Sequence, residues 1–135
     1  MKNSEQTIAK LYQSARAASE RAYSPYSGVR VGASVLAENG DVYTGCNVEN
    51  ASYSLTQCAE RNALATAISA GIKAGTAQAI LIFATGFDVL APCGACRQVM
   101  NELMTDNAMV ISCHSETDYR QWRLSELLPD PFKLT

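Results

Sequence analysis

Two short segments, Cys58-Ala59-Glu60-Arg61 and Pro92-Cys93-Gly94-Ala95-Cys96-Arg97, hold the side chains best suited to chemistry. Three thiolates drawn from two segments supply three of the four ligands of a tetrahedral zinc. They leave the fourth position to water, the arrangement of a catalytic rather than a structural site. Spacing restricts where these groups can meet. On a regular helix Cys58 and Glu60 point about 200° apart, so both approach one ion only at a helix tip. Cys93 and Cys96, three apart, share one side of a first helical turn. The metal is therefore expected between the N-termini of two helices. Three thiolates on a divalent ion leave one net negative charge, which makes bound water less acidic. Two helix N-termini, each roughly +0.5 charge, act the other way and favour the thiolate. Arg61 can withdraw more charge by donating hydrogen bonds to a ligating sulfur.

The remaining candidates weigh differently. Cysteines stand at 46, 58, 93, 96 and 113. Their odd number and the Cys-x-x-Cys pair favour metal binding over a disulfide framework. Cys46 and Cys113 fall in strand-like runs and are expected to be small buried hydrophobes. A closed, non-catalytic zinc module would need Cys46, Cys113 or His114 as fourth ligand, and would leave Glu60 idle. His114 is expected to be an exposed residue at a strand end, and Trp122 to pack. For Arg97 a structural salt bridge and a role in the site stay equally open.

These motifs need elements to position them. Ser4 can cap a first helix, since Ile8, Leu11, Tyr12, Ala15, Ala18 and Ala22 recur at helical spacing. Its end is expected near Ala22, before the turn cluster 23–28. Strand-like runs follow over Val29 to Ala37 and Val42 to Asn47, joined through Asn39-Gly40, a pair that suits a type I′ hairpin. A helix is expected from Cys58 to Ala70, with Leu64, Ala65, Ala67 and Ile68 as its apolar face and Gly71 as its C-terminal cap. Ala79 to Ala84 reads as a strand buried on both faces. A short helix from Cys93 to Leu103, a buried strand from Met109 to Cys113 and a weaker one from Tyr119 to Leu124 complete the chain. This order predicts a three-layer α/β/α sandwich around a central mixed sheet, with an antiparallel hairpin at its start. Nothing in the sequence marks a boundary, so residues 1–135 are expected to form a single catalytic domain.

Composition narrows the partners. Apolar residues make up 47% of the 135, charged residues 18%, and the formal net charge is -2. No basic patch appears of the kind that grips a nucleic-acid polymer. No apolar run approaches the roughly 20 residues that span a bilayer. The first residues lack the regions of a secretory signal, so a cytoplasmic protein acting on a small, nearly neutral substrate is expected.

Cys-Ala-Glu-Arg followed by Pro-Cys-Gly-Ala-Cys-Arg-Gln resembles the signature of cytidine deaminases. The segment from Thr44 to Tyr53, Thr-Gly-Cys-Asn-Val-Glu-Asn-Ala-Ser-Tyr, is similar to another of theirs. The resemblance runs from Tyr23 to Phe132. It implies one zinc per chain on Cys58, Cys93 and Cys96, with Glu60 moving protons between water, N3 of cytosine and the departing amino group. The reaction implied is hydrolytic deamination of cytidine and 2′-deoxycytidine in pyrimidine salvage. Asn47 and Glu49 match positions that bind ribose hydroxyls, and backbone near Ala59 and Cys58 is expected to read the base edge. Ala51, Tyr53 and Phe132 match positions that a neighbouring subunit contributes in homotetrameric members, whose active sites lie at subunit interfaces. Val29 stands where the family usually places an aromatic residue that stacks on the base, and Arg30 where a proline is common. Loss of a stacked ring leaves a roomier pocket, which opens the alternative of bulkier or N4-modified cytidine analogues.

Overall fold

The alternation of side chains along the central strands decides the layering. In β3 (Ala77–Ala84), Ile80 and Ile82 belong to one apolar cluster, and Ala79 and Leu81 to another. A strand with period two feeds opposite faces of its sheet, so a run apolar at every position must be covered on both sides. The computed structural model describes residues 4–86 and 90–134. It places α1 (Ser4–Ser19) against one face, through Ile8, Leu11, Tyr12 and Ala15. The other face packs on α2 (Ala59–Ser69), α3 (Gly94–Leu103) and α4 (Leu124–Leu127), through Ala63, Leu64, Met100 and Leu124. The expected three-layer α/β/α sandwich is what forms.

The sheet runs β2-β1-β3-β4-β5, comprising β1 (Val31–Leu36), β2 (Val42–Cys46), β3, β4 (Met104–Cys113) and β5 (Tyr119–Arg123). Only β3 and β4 pair in parallel; the other neighbours are antiparallel, so the sheet is mixed. The parallel pair is joined through α3, which passes into β4 at Leu103/Met104 with no intervening residue.

Several boundaries differ from expectation. α1 begins at Ser4 and ends at Ser19, and its N-terminal cap lies outside the described residues. Residues 20–22 continue only as single turns, each N–H bonding the carbonyl three residues back. β1 begins at Val31, not Val29, because Asn47 takes over the pairing there. Its Oδ1 accepts from the Val31 N–H and its Nδ2 donates to the Val29 carbonyl, both at 2.9 Å. The hairpin is not a two-residue type I′ turn. Ala37 and Asp41 close a three-residue loop at 2.8 Å, and Gly40 supplies its positive φ of 94°. Gly71 caps α2 as expected: at φ 102°, its N–H reaches Ile68 and the Ile72 N–H reaches Ala67, the paired bonds of a Schellman motif. The buried face of α2 is Ala59, Glu60, Ala63, Leu64 and Ala67, while Ala65 and Ile68 face outward.

Two glycines let helices approach the sheet. A Cβ on Gly32 would lie 1.8 Å from the Ala15 carbonyl oxygen of α1, and one on Gly45 would lie 2.4 Å from the Ala63 nitrogen of α2. Among the described residues no helix is long and apolar enough to cross a membrane.

Candidate metal centre and active-site cleft

Cys58 is the N-cap of α2 and Cys93 the N-cap of α3, and neither thiol is spent on capping its helix. Both cap residues adopt extended backbone, which turns their side chains off the helix axis. Cys96, in the first turn of α3, is fully buried. The two helix tips meet, and the sulfurs of Cys58, Cys93 and Cys96 lie within 4.8 Å of one another. The expected site between two helix N-termini is therefore present. Among the described residues no fourth His, Cys, Asp or Glu joins this group. Cys113 is buried elsewhere and its thiol donates to the Ile82 carbonyl, while Cys46 ends β2 beside α1.

The donor set suits zinc, with three soft sulfur ligands and one open side. Its electrostatics point the same way. The Arg61 Nη2 donates to the Cys58 sulfur at 3.3 Å. The Cys58 thiol is lowered to about 5, first by a bond from Cys96 and then by Arg61, with burial opposing. Cys96 is driven up chiefly by giving its proton to that bond, and next by burial. A cation binding the three sulfurs would displace the proton that Cys96 gives to this bond. Bonding to Cys58 holds Arg61 more firmly protonated, and its buried Nε has no partner among the described residues.

Glu60 follows on the first turn of α2 and is only 6% exposed. Burial, the largest influence, raises its pKa, and the Cys58 charge adds to this. A desolvated carboxyl holds its proton more readily and exchanges it closer to neutral pH.

Glu60, Ala59, Cys58 and Cys93 line a cleft of about 240 Å³ whose walls include Val31, Asn47, Thr56, Ile82, Ala84 and Leu90-Ala91-Pro92. Ser112 fixes the Leu90 wall by accepting its N–H at 3.1 Å. A second hollow of about 380 Å³ is bordered by Tyr26, Ser27, Glu49, Tyr53 and Thr56, and Thr56 belongs to both. Glu49 accepts from the Tyr26 N–H at 2.9 Å, from the Ser27 N–H at 3.2 Å and from the Ser27 hydroxyl. These bonds, the hydroxyl foremost, hold its carboxyl below the ordinary range.

Among the residues singled out by sequence, Cys58, Cys93, Ala59, Glu60 and Asn47 line the first cleft, Cys96 is buried with its sulfur against those of Cys58 and Cys93, and Glu49 and Tyr53 border the second hollow. Ala51 and Phe132 line neither and are exposed. Val29 is half-buried beside the cleft but not in its wall, where Val31 stands instead. Arg30 turns away to the Glu20 carbonyl, 3.2 Å from Nη1, at the end of α1. His114 is exposed where β4 ends, and half-buried Trp122 packs on the core beneath the Arg120 guanidinium. Beyond Pro92, which opens the second cysteine segment, the sequence does not point to Thr56 or to Leu90 and Ala91. A threonine and a loop before a cysteine carry no spacing signal, and only the convergence of chain segments brings them together.

Residues 5–113 match the family described as the cytidine and deoxycytidylate deaminase zinc-binding region. A cytidine deaminase from Sporosarcina psychrophila is 41% identical over 125 residues, covering 93% of this chain and 90% of that protein. One from Halalkalibacterium halodurans is 45% identical over 122 residues, covering 90% and 91%. The crystal structure of a cytidine deaminase from Burkholderia pseudomallei superposes with a TM-score of 0.84 at 46% identity, over 91% of this chain and 97% of that one. A match that spans all three clustered cysteines and relatives that cover nearly the whole chain lead to one conclusion: this chain belongs to the cytidine deaminase family.

Proposed function

We propose that the protein is a zinc-dependent hydrolase that converts cytidine and 2′-deoxycytidine to uridine and 2′-deoxyuridine with release of ammonia. The observation that carries this reading is the cluster of three sulfurs within 4.8 Å at the mouth of a cleft whose wall also holds a buried glutamate. Cys58, Cys93 and Cys96 hold the ion, and bound zinc supplies a Lewis acid that makes water nucleophilic near neutral pH. Glu60 accepts the proton that the attacking water gives up and delivers it to N3. A bond forms from the water oxygen to C4, and Glu60 carries the second proton to the amino group as the C4–N bond breaks. Arg61 keeps the cysteine charge in check through its bond to Cys58.

Asn47 and Glu49 hold the ribose hydroxyls in this reading. The Asn47 amide spends one donor and one acceptor on Val29 and Val31, which leaves one N–H and one lone pair for the sugar. Backbone of Ala59 reads the base edge. The whole chain, 1–135, works as one cytoplasmic catalytic domain in pyrimidine salvage. A homotetramer brings Ala51, Tyr53 and Phe132 of one subunit to a neighbour's cleft. The exposure of two large aromatics, Tyr53 at 75% and Phe132 at 71%, supports this assembly. Tyr53→Ala is expected to shift sedimenting mass from tetramer toward smaller species and to lower kcat/KM together with it.

A wider substrate range rests on the space beside Val29, which stands next to the cleft rather than in its wall. The Arg30 guanidinium is committed to Glu20, so it does not fill the space beside Val29. Cytidines with a bulky N4 substituent then fit better than they would beside a phenylalanine. Purified protein incubated with cytidine, deoxycytidine, cytosine and an N4-acyl cytidine, with ammonia or the uracil product followed, tests both readings. Free cytosine is expected to react poorly, since it leaves the sugar-binding groups unpaired. Equal turnover of cytosine and cytidine overturns the nucleoside assignment. A Val29→Phe variant with the same ratio of N4-acyl cytidine to cytidine turnover overturns the wider range.

A further inference from the structure

Of the three clustered cysteines, Cys93 is the exposed one. Cys58 has its bond from Arg61, and Cys96 has the core around it. The main chain about Cys93 is held by Arg97. The Arg97 backbone N–H donates to the Cys93 carbonyl at 3.0 Å, and its Nε donates to the Pro92 carbonyl at 2.8 Å. The carbonyls on both sides of the Cys93 Cα are therefore tied to one residue, which fixes the direction in which the Cys93 side chain leaves the backbone. The same guanidinium reaches the Leu127 carbonyl, at the end of α4, with Nη1 at 2.9 Å. Gln98, the next residue, donates to the Phe132 carbonyl at 3.0 Å. A guanidinium is planar and rigid, so two of its nitrogens on two carbonyls set both carbonyls relative to each other.

We propose that Arg97 is a positioning residue for the metal centre, one that clamps the backbone of Cys93 and the adjoining cleft wall against the C-terminal segment. The inference rests on Cys93 being a metal ligand. Groups that orient a ligand from behind are typically worth about 10–100-fold in metal affinity or activity. They act on the metal as well as on turnover.

The test uses the zinc-loaded full chain and its Arg97→Ala and Arg97→Lys variants. Three quantities are read: the rate of zinc release to a chromogenic chelator, kcat and KM for cytidine, and rescue by dilute guanidinium at constant ionic strength. Arg97→Ala is expected to release zinc about tenfold faster and to lose about tenfold in kcat, with a smaller change in KM. Guanidinium restores both, and sodium chloride restores neither. Lysine has one donor centre and holds one carbonyl, so Arg97→Lys falls between wild type and alanine. Zinc release at the wild-type rate in Arg97→Ala overturns the proposal, as does a defect on which guanidinium has no effect. If Arg97→Ala does not fold, Arg97→Lys decides, because full zinc retention and full kcat with lysine show that the paired clamp is dispensable. Cys93→Ala separates this from the parent reading. Undiminished zinc in that variant removes Cys93 from the ligand set and ends the proposed function instead.

Discussion

Glu60 differs from an ordinary first-turn glutamate in its burial, not in its position, since the helix dipole favours an acid there in any protein. Glu60→Gln keeps the shape and removes the base. Zinc content is expected to stay near one per chain while kcat falls by about 10²–10⁴ or more, as measured by metal analysis beside a steady-state assay. Glu49 is expected to reveal itself through acid. Its folded pKa lies below the ordinary 4.5, so its bonds stabilise the 24–28 turn at any pH above that value. The contribution fades as pH falls through the lower, folded value. Amide signals of Tyr26 and Ser27 should therefore shift below pH 4.5, and Glu49→Gln should abolish that titration. The reactive residues were the most legible part of the sequence. Thiols, a carboxyl and a guanidinium at fixed offsets have few other physical uses, and only a helix tip lets Cys58 and Glu60 serve one centre. The sequence leaves Arg97 between a salt bridge and a role in the site, because Leu127 becomes its neighbour only through the fold.

At the level of elements, Gly32 and Gly71 separate two reasons for glycine. Gly71 has open space around its missing Cβ and a φ of 102°. Gly71→Ala is expected to cost only the strain of that backbone region, roughly 1–2 kcal/mol. Gly32 meets a backbone oxygen at 1.8 Å that cannot swing aside. Gly32→Ala should cost more than about 4 kcal/mol, or prevent folding, because α1 must lift off the sheet. Urea unfolding of the two variants checks the contrast. Elements with strong period or chemistry were readable, as α2 shows with its cysteine start and Gly71 stop. Its face was half misread because alanine is neutral: Ala63 is buried, and Ala65 is exposed. β4 was cut short because Thr105, Asp106 and Asn107 are polar, yet they lie on a strand that bulges between its pairings at Met104 and Met109. α4, with four residues, gives no periodicity to detect.

For the molecule as a whole, a metal held by the three sulfurs would join the tips of α2 and α3, both in the layer opposite α1, so removing it should loosen one layer more than the other. Zinc at 1,000 times its dissociation constant stabilises by about 4 kcal/mol. Chelation is therefore expected to lower Tm by about 10 °C, reversibly on zinc addition, as followed by calorimetry. Exchange protection should fall in α2 and α3 and persist in α1. The layer order was readable because the 79–84 run of β3 is apolar at every position; the antiparallel placement of β1 beside it was not, since pairing partners leave no mark on composition. The direct passage of α3 into β4 has a consequence for how such a chain can diverge. Between Cys93 and the sheet lies a rod of ten residues, about 15 Å long, with no slack at its far end. One residue inserted at Leu103/Met104 would rotate the rod by about 100° or displace it by 1.5 Å, and either change carries two sulfurs away from the third. Length changes accumulated over evolution should therefore collect in the 38–40 and 114–118 loops and spare this junction, even though no residue there touches the chemistry.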